Sequence, residues 1–146
     1  MNTMHDLLLE TARHLLQEPV AILYNMPADA RLLAHAQRSI KGIAVINMSP
    51  LIAGDDLATY IFLHECAHLK LQRFKHLPVK ERPTMPDKGT GYKREIYQKH
   101  ENEADTLARH WLSWGRLHNK DGSLSQMEAV CTALLEYPID DTKGMK

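Results

Sequence analysis

Two histidines four residues apart enclose a glutamate in the segment His64-Glu65-Cys66-Ala67-His68. The flanking residues Tyr60, Ile61, Leu63, Leu69 and Leu71 repeat at helical spacing, and on a helix residues four apart share a face. Both imidazoles can therefore reach one metal ion, and imidazole nitrogen is a preferred ligand of zinc. Glu65 is rotated by about 100° from His64, near enough to meet a water on the ion without competing as a ligand. Neutral imidazoles leave the ion its positive charge, which lowers the pKa of water held there toward about 7. A carboxylate in the position of Glu65 can take the proton during attack and return it to the leaving group.

A chain with nine histidines and nine glutamates can hold such a pattern by chance. Its setting argues otherwise: Ile61, Phe62, Leu63, Ala67, Leu69 and Leu71 make this a mostly buried helix, where polar groups need partners. Hydrolytic zinc sites take three protein ligands and keep one position open. The third ligand is expected from Glu101-Asn102-Glu103-Ala104-Asp105. Glu101, Ala104, Asp105 and Ala108 fall on one helical face, and the small alanines would allow close approach to the histidine helix. Glu101 is then the third ligand, and Asp105, one turn on, is expected to accept a ring N–H from a ligand histidine. Glu103, about 200° around the helix from Glu101, is expected to face solvent.

The elements that must position these groups follow from periodicity and turn chemistry. Residues 3–17 form an amphipathic helix opened by Thr3 and Asp6 and stopped by Pro19. Residues 20–24, 31–37 and 43–48 read as strands, the last two joined around 39–42; the first arm of that pair also suits a helix. A helix runs from Asp55 or Asp56 to Phe74, followed by a Pro- and Gly-rich loop over 77–92. The Glu101 helix spans 93–112 and ends near Gly115, and Ser123 with Gln126 opens a last helix to about Tyr137, stopped by Pro138. The expected architecture is one α+β domain over 1–137, mostly helical with about three strands, and a C-terminal tail over 138–146.

Composition narrows the function classes. The chain of 146 residues suits one domain, with 44% apolar and 25% charged residues. Formal net charge is zero, so no global field draws it to nucleic acid or acidic membranes. No helix-turn-helix, zinc-finger or RNA-recognition pattern is found, and no direct nucleic-acid contact is expected. Residues 70–100 nevertheless carry a net charge of +6, either a solvated loop with its helix ends or a basic rim beside the site. No run approaches the roughly 18 apolar residues of a membrane span, and the first residues lack the pattern of a signal peptide. Cys66 and Cys131 form no spaced framework, which points to a reducing, cytoplasmic setting.

The motif His64-Glu65-x-x-His68, followed some thirty residues later by Glu101-x-x-x-Asp105, resembles the gluzincin arrangement of metallopeptidases. From Gly42 to the Asp105 helix the chain most resembles the ImmA/IrrE family. There a strand ending in Ile-Asn and a short Pro-containing loop precede the metal-binding helix, as in 43–50 here, and a Glu-x-Glu-Ala-(Asn/Asp) segment opens the next helix. Cys66 and Ala67 stand where that family usually has Leu or Ile and Gly, and Asp105 where it often has Asn. The resemblance implies a zincin-like fold and a cytoplasmic zinc endopeptidase, often encoded by phages or mobile elements, that cuts a DNA-binding repressor. It also implies an extended peptide lying along the edge of strand 43–48.

Other assignments stay open at this level. His76 or His100 in place of Glu101 would resemble SprT-type metalloproteins. Tyr92, Tyr97, His76 and His100 are candidates to stabilise an oxyanion. Cys66 is read as a buried, inert thiol, and Trp111 and Trp114 as core packing. His5, His14, His35, His110 and His118 have no companions at ligand spacing. The alternative to a peptidase is a non-catalytic, zinc-stabilised module that binds and regulates a partner protein; another is a metallohydrolase acting on a small amide.

Overall fold

Local chemistry sets the first element. Thr3 caps α1 (Met4–Leu16): its hydroxyl accepts from the Asp6 amide at 3.1 Å, and the Asp6 carboxylate accepts from the Thr3 amide at 3.2 Å. Two otherwise orphaned amides are satisfied by this reciprocal box. The helix closes on Gln17, which takes the left-handed conformation with φ 55°. Leu8, Ala12, Leu15 and Leu16 form its buried stripe. The computed structural model describes residues 3–25, 34–49, 55–73, 94–119 and 125–139.

Three strands follow: β1 (Val20–Leu23), β2 (Ala34–Arg38) and β3 (Ala44–Met48), in the order β1-β3-β2. β3 is central, parallel to β1 with Ile22 opposite Ile46, and antiparallel to β2 with Ala36 opposite Ile46. Ala44, Ile46 and Met48 alternate into the core while Val45 and Asn47 take the other face. Both edges of residues 43–48 are thus occupied along β3, which overturns the expectation that a peptide could add there. Residues 34–38, ambiguous in sequence, become a strand because pairing with β3 gives their backbone a ladder and their alanines a core to face. The hairpin closes with Ser39 N–H donating to the Ile43 carbonyl at 2.9 Å and Gly42 N–H to the Ser39 carbonyl at 2.8 Å. Gly42 sits at φ +83°, a conformation that costs glycine nothing.

α2 (Asp55–Arg73) is the central helix and touches α1, α3 (Arg94–Leu117), α4 (Gln126–Leu134), β2 and β3. Phe62, Leu63, Cys66, Ala67 and Leu69 on it are fully buried. Arg38 fastens the hairpin to it. Its guanidinium grips both oxygens of Glu18, at 2.5 and 3.0 Å, and donates to the carbonyls of Gly42 and Leu69, each at 3.2 Å. Leu69 directly follows His68, so this clamp ties β2 to the helix beside one of the metal-ligand candidates.

The architecture is a mostly helical α+β fold with four helices and a mixed three-stranded sheet among the described residues. Three helix boundaries differ from expectation. α3 runs through Gly115, which is no terminator but the point where α4 comes closest: a Cβ there would lie 2.8 Å from Val130 Cγ1 and 3.2 Å from the Val130 carbonyl oxygen. α4 is capped by Ser125, whose hydroxyl accepts from the Glu128 amide at 3.2 Å; Ser123 lies outside the described residues. It ends at Leu134, short of Tyr137, which with Ile139 packs back against the core. Among the described residues no helix is long and apolar enough to cross a membrane.

The Gly115 contact makes a test. Alanine in place of glycine inside an exposed helix stabilises by about 1 kcal/mol. Here Val130 is stiff at χ1 and its carbonyl cannot retreat. Gly115→Ala is therefore expected to lower unfolding stability by about 1–3 kcal/mol, read by urea denaturation; a gain in stability would show that α4 is not seated on Gly115.

Candidate metal centre

α2 and α3 run antiparallel, and the chemistry-bearing residues meet where they face each other. Ala104 and Ala108, at helical spacing from Glu101 on α3, are fully buried. His64 and His68, one turn apart on α2, both direct Nε2 at Glu101 on α3. Each nitrogen lies 3.0 Å from Glu101 Oε2, and the two nitrogens lie 3.1 Å from each other. Among the described residues these three are the group able to hold a metal ion. Their side chains are 18%, 21% and 29% exposed, so one side of the cluster stays open to water.

The fit to a cation can be judged from this triangle. Protons fill it only in part. With a proton on one Nε2, the other nitrogen sets its lone pair against Oε2; with protons on both, each N–H donates to Oε2 and the two N–H groups lie side by side, their nitrogens 3.1 Å apart. A cation shared by all three donors makes every edge favourable. Zinc with bonds of about 2.0–2.1 Å in tetrahedral geometry holds ligand atoms about 3.3 Å apart, within a few tenths of an ångström of the spacing here. Two imidazoles and a carboxylate also match its ligand preferences.

Glu65 is 8% exposed. Burial pushes its carboxyl above the ordinary range; His68, His64 and His35 pull it down and Glu101 pushes it up, so its charge is felt throughout the cluster. For His64, burial disfavours the charged ring, but the hydrogen bond to Glu101 and the charges of Glu65, Glu101 and Asp105 outweigh it and raise the pKa.

Asp105 does not take the partner that its spacing suggested. Its Oδ1 accepts a short hydrogen bond from the Tyr60 hydroxyl, and its Oδ2 accepts from Arg109 Nε at 2.8 Å. Tyr60, one turn before His64, places its hydroxyl 3.5 Å from His64 Nδ1. Asp105 thus reaches the histidine through a tyrosine. The signal was present in the sequence, since Tyr60 and Asp105 each stand four residues from a ligand candidate, but Tyr60 also fits the apolar surface of its helix. The bond to Tyr60, aided by Arg109, lowers the Asp105 pKa against its burial. Tyr60 is pushed up to about 12 by burial and by Asp105, and the Arg109 guanidinium sits 5.5 Å from the centre of its ring.

The other candidates lie either outside the described residues or away from the metal-capable group. His76 and Tyr92, and the side chain of Tyr97, lie outside the described residues, as does most of the basic segment. His100 is buried, 2% exposed, and is not part of the metal-capable group. Glu103 is half-buried, not solvent-facing, because α3 is covered over more of its circumference than one face. Cys66 is buried beside Cys131, and burial raises its thiol pKa far above the ordinary value. Trp111 is core, whereas Trp114 stacks on His118 at 3.9 Å between ring centres. His14 and His110 bond Tyr137, on its carbonyl and hydroxyl.

Set against protein-family models, curated proteins and solved structures, the chain matches none.

The two raised pKa values fix the sign of a pH dependence. Glu65 and His64 both favour the protonated form in the fold, so their stabilising effect is full below the ordinary values of 4.5 and 6.5. It is lost as pH rises through the folded values. The metal-free chain should lose stability as pH rises above the ordinary values of 4.5 and 6.5, and Glu65→Gln should remove part of that loss. Thermal unfolding in chelator checks this: the variant is expected to melt higher than wild type near pH 8 and equally near pH 4. Equal melting across the range would mean that Glu65 is solvated.

Proposed function

We propose that the chain is a zinc-dependent peptidase in which His64, His68 and Glu101 hold the ion and Glu65 moves the proton. The observation that carries this reading is the convergence of the three donor atoms at 3.0–3.1 Å, close to the spacing that ligands of one shared cation adopt. Zinc, when bound, supplies a Lewis acid that polarises a carbonyl and brings water toward deprotonation at neutral pH. Glu65 supports the rest of the chemistry. Buried next to two histidines, with a pKa displaced toward neutrality, it is suited to accept a proton from an attacking water and deliver it to the leaving amine.

β2 supports a peptide as substrate. Among the described residues its outer edge has no strand beside it, and Arg38 holds it against α2 next to His68. An extended segment adding to that edge would present its backbone along the open side of the cluster. That the segment belongs to a DNA-binding repressor, and that the setting is cytoplasmic, is carried by the ImmA/IrrE resemblance.

The test separates metal from chemistry. Wild type is expected to hold about one zinc per chain, and Glu101→Ala to lose it, by elemental analysis after purification without chelator. Glu65→Gln should keep its zinc yet cut an unstructured protein substrate about 10²–10⁴-fold more slowly. Zinc retained in Glu101→Ala would remove Glu101 from the site. Wild type with zinc but without cleavage of any peptide library would favour a regulatory binding module.

A further inference from the structure

The contact of Tyr60 with His64 has a meaning that donor counting makes definite. Tyr60 carries a single hydroxyl proton. Asp105, held by the guanidinium of Arg109 at 2.8 Å, is a carboxylate and can only accept, so the Tyr60 proton points at Asp105. The phenolic oxygen then has only lone pairs to offer His64, 3.5 Å away. Their contact is a hydrogen bond when His64 carries a proton on Nδ1. With Nδ1 protonated, a neutral ring presents the Nε2 lone pair, the atom that faces Glu101 and His68.

We infer that Tyr60 is a positioning residue for His64, with Arg109, Asp105 and Tyr60 forming a polar chain that fixes the tautomer and ring orientation in which Nε2 is free to bind a metal. The inference rests on the reading of His64 as a ligand. The framework suits the task. Tyr60 and His64 are one turn apart on α2, Asp105 and Arg109 one turn apart on α3, and the fully buried Ala104 and Ala108 flank Asp105 on its helix. The ring of Tyr60 lies tilted by 36° against that of His64, with centres 5.7 Å apart, so it also limits rotation of the imidazole. A lone carboxylate on α3 would have to span the gap that the phenol fills.

The test compares full-length wild type, Tyr60→Phe, Asp105→Asn and the double variant. Zinc affinity is read by chelator competition, and the imidazole N–H signals of His64 by nitrogen-15 NMR with and without zinc. Groups of this kind contribute about 10–100-fold to metal affinity. Tyr60→Phe should bind zinc at least about tenfold more weakly and lose the exchange-protected Nδ1–H signal of His64. Asp105→Asn should do the same, and the double variant should be no weaker than the weaker single, since one chain is being cut twice. Unfolding melts confirm that each variant folds. If wild type binds zinc and Tyr60→Phe binds it within twofold as well, the inference is overturned. If wild type binds no zinc, the metal reading fails and the NMR signal decides alone: loss in Tyr60→Phe upholds the Tyr60–His64 bond, and persistence overturns it.

Discussion

The contact between α2 and α3 is the constraint on which the remaining structure depends. α2 is the core's central element, buried on nearly every side, and it carries two histidines and a glutamate that a core helix would not ordinarily tolerate. Those groups are accommodated because α3 approaches along Ala104 and Ala108 and brings Glu101 and Asp105 into register with them. Side chains longer than alanine at those two positions would separate the helices and dissolve the triangle. α1, α4 and the sheet enclose the opposite faces of α2 and give it an apolar backing that holds the ligand-bearing face in place.

The burial of Glu65 shows how the site and the fold compete. An ionised carboxylate at 8% exposure is unfavourable for folding, and a designer of stability alone would replace it. Its place between the histidine positions is what the proposed chemistry would require. Local conflict of this kind, confined to one face of one helix while capping, turn chemistry and core pattern agree elsewhere, is characteristic of functional sites.

Much of this was legible in the residues, for identifiable reasons. The capping box of Thr3 and Asp6, the alternation in β3 and the four-residue spacing of His64 and His68 are local rules, and each appears in the structure as read. Glu101 was reachable because its face also carried Ala104 and Ala108. What failed was information that sequence distance hides. The central position of β3 depends on β1 pairing in parallel along the edge of β3 opposite β2, which no strand pattern reveals. Gly115 resembled a helix end because glycine often is one; only the neighbouring Val130 explains it. Ser123 with Gln126 matched a cap pattern, but α4 is capped by Ser125, whose hydroxyl accepts from the Glu128 amide. Tyr60 was hidden by its own duality, an apolar ring on a buried stripe and a hydroxyl one turn from a ligand candidate.

The placement of the three donors along the chain has a consequence for conformational entropy. His68 and Glu101 are separated by 33 positions in sequence yet touch in space, so whatever joins them closes a loop of that length. A cation shared across the gap would act as a reversible cross-link, removing freedom from the unfolded chain as a disulfide does, on the order of 4 kcal/mol for such a loop. The cysteines of this chain, buried and free, provide no such tether among the described residues. Release of such an ion would then cost the molecule more than its chemistry: it would return that freedom to the unfolded chain and weaken the fold at the meeting of α2 and α3, the two longest helices among the described residues.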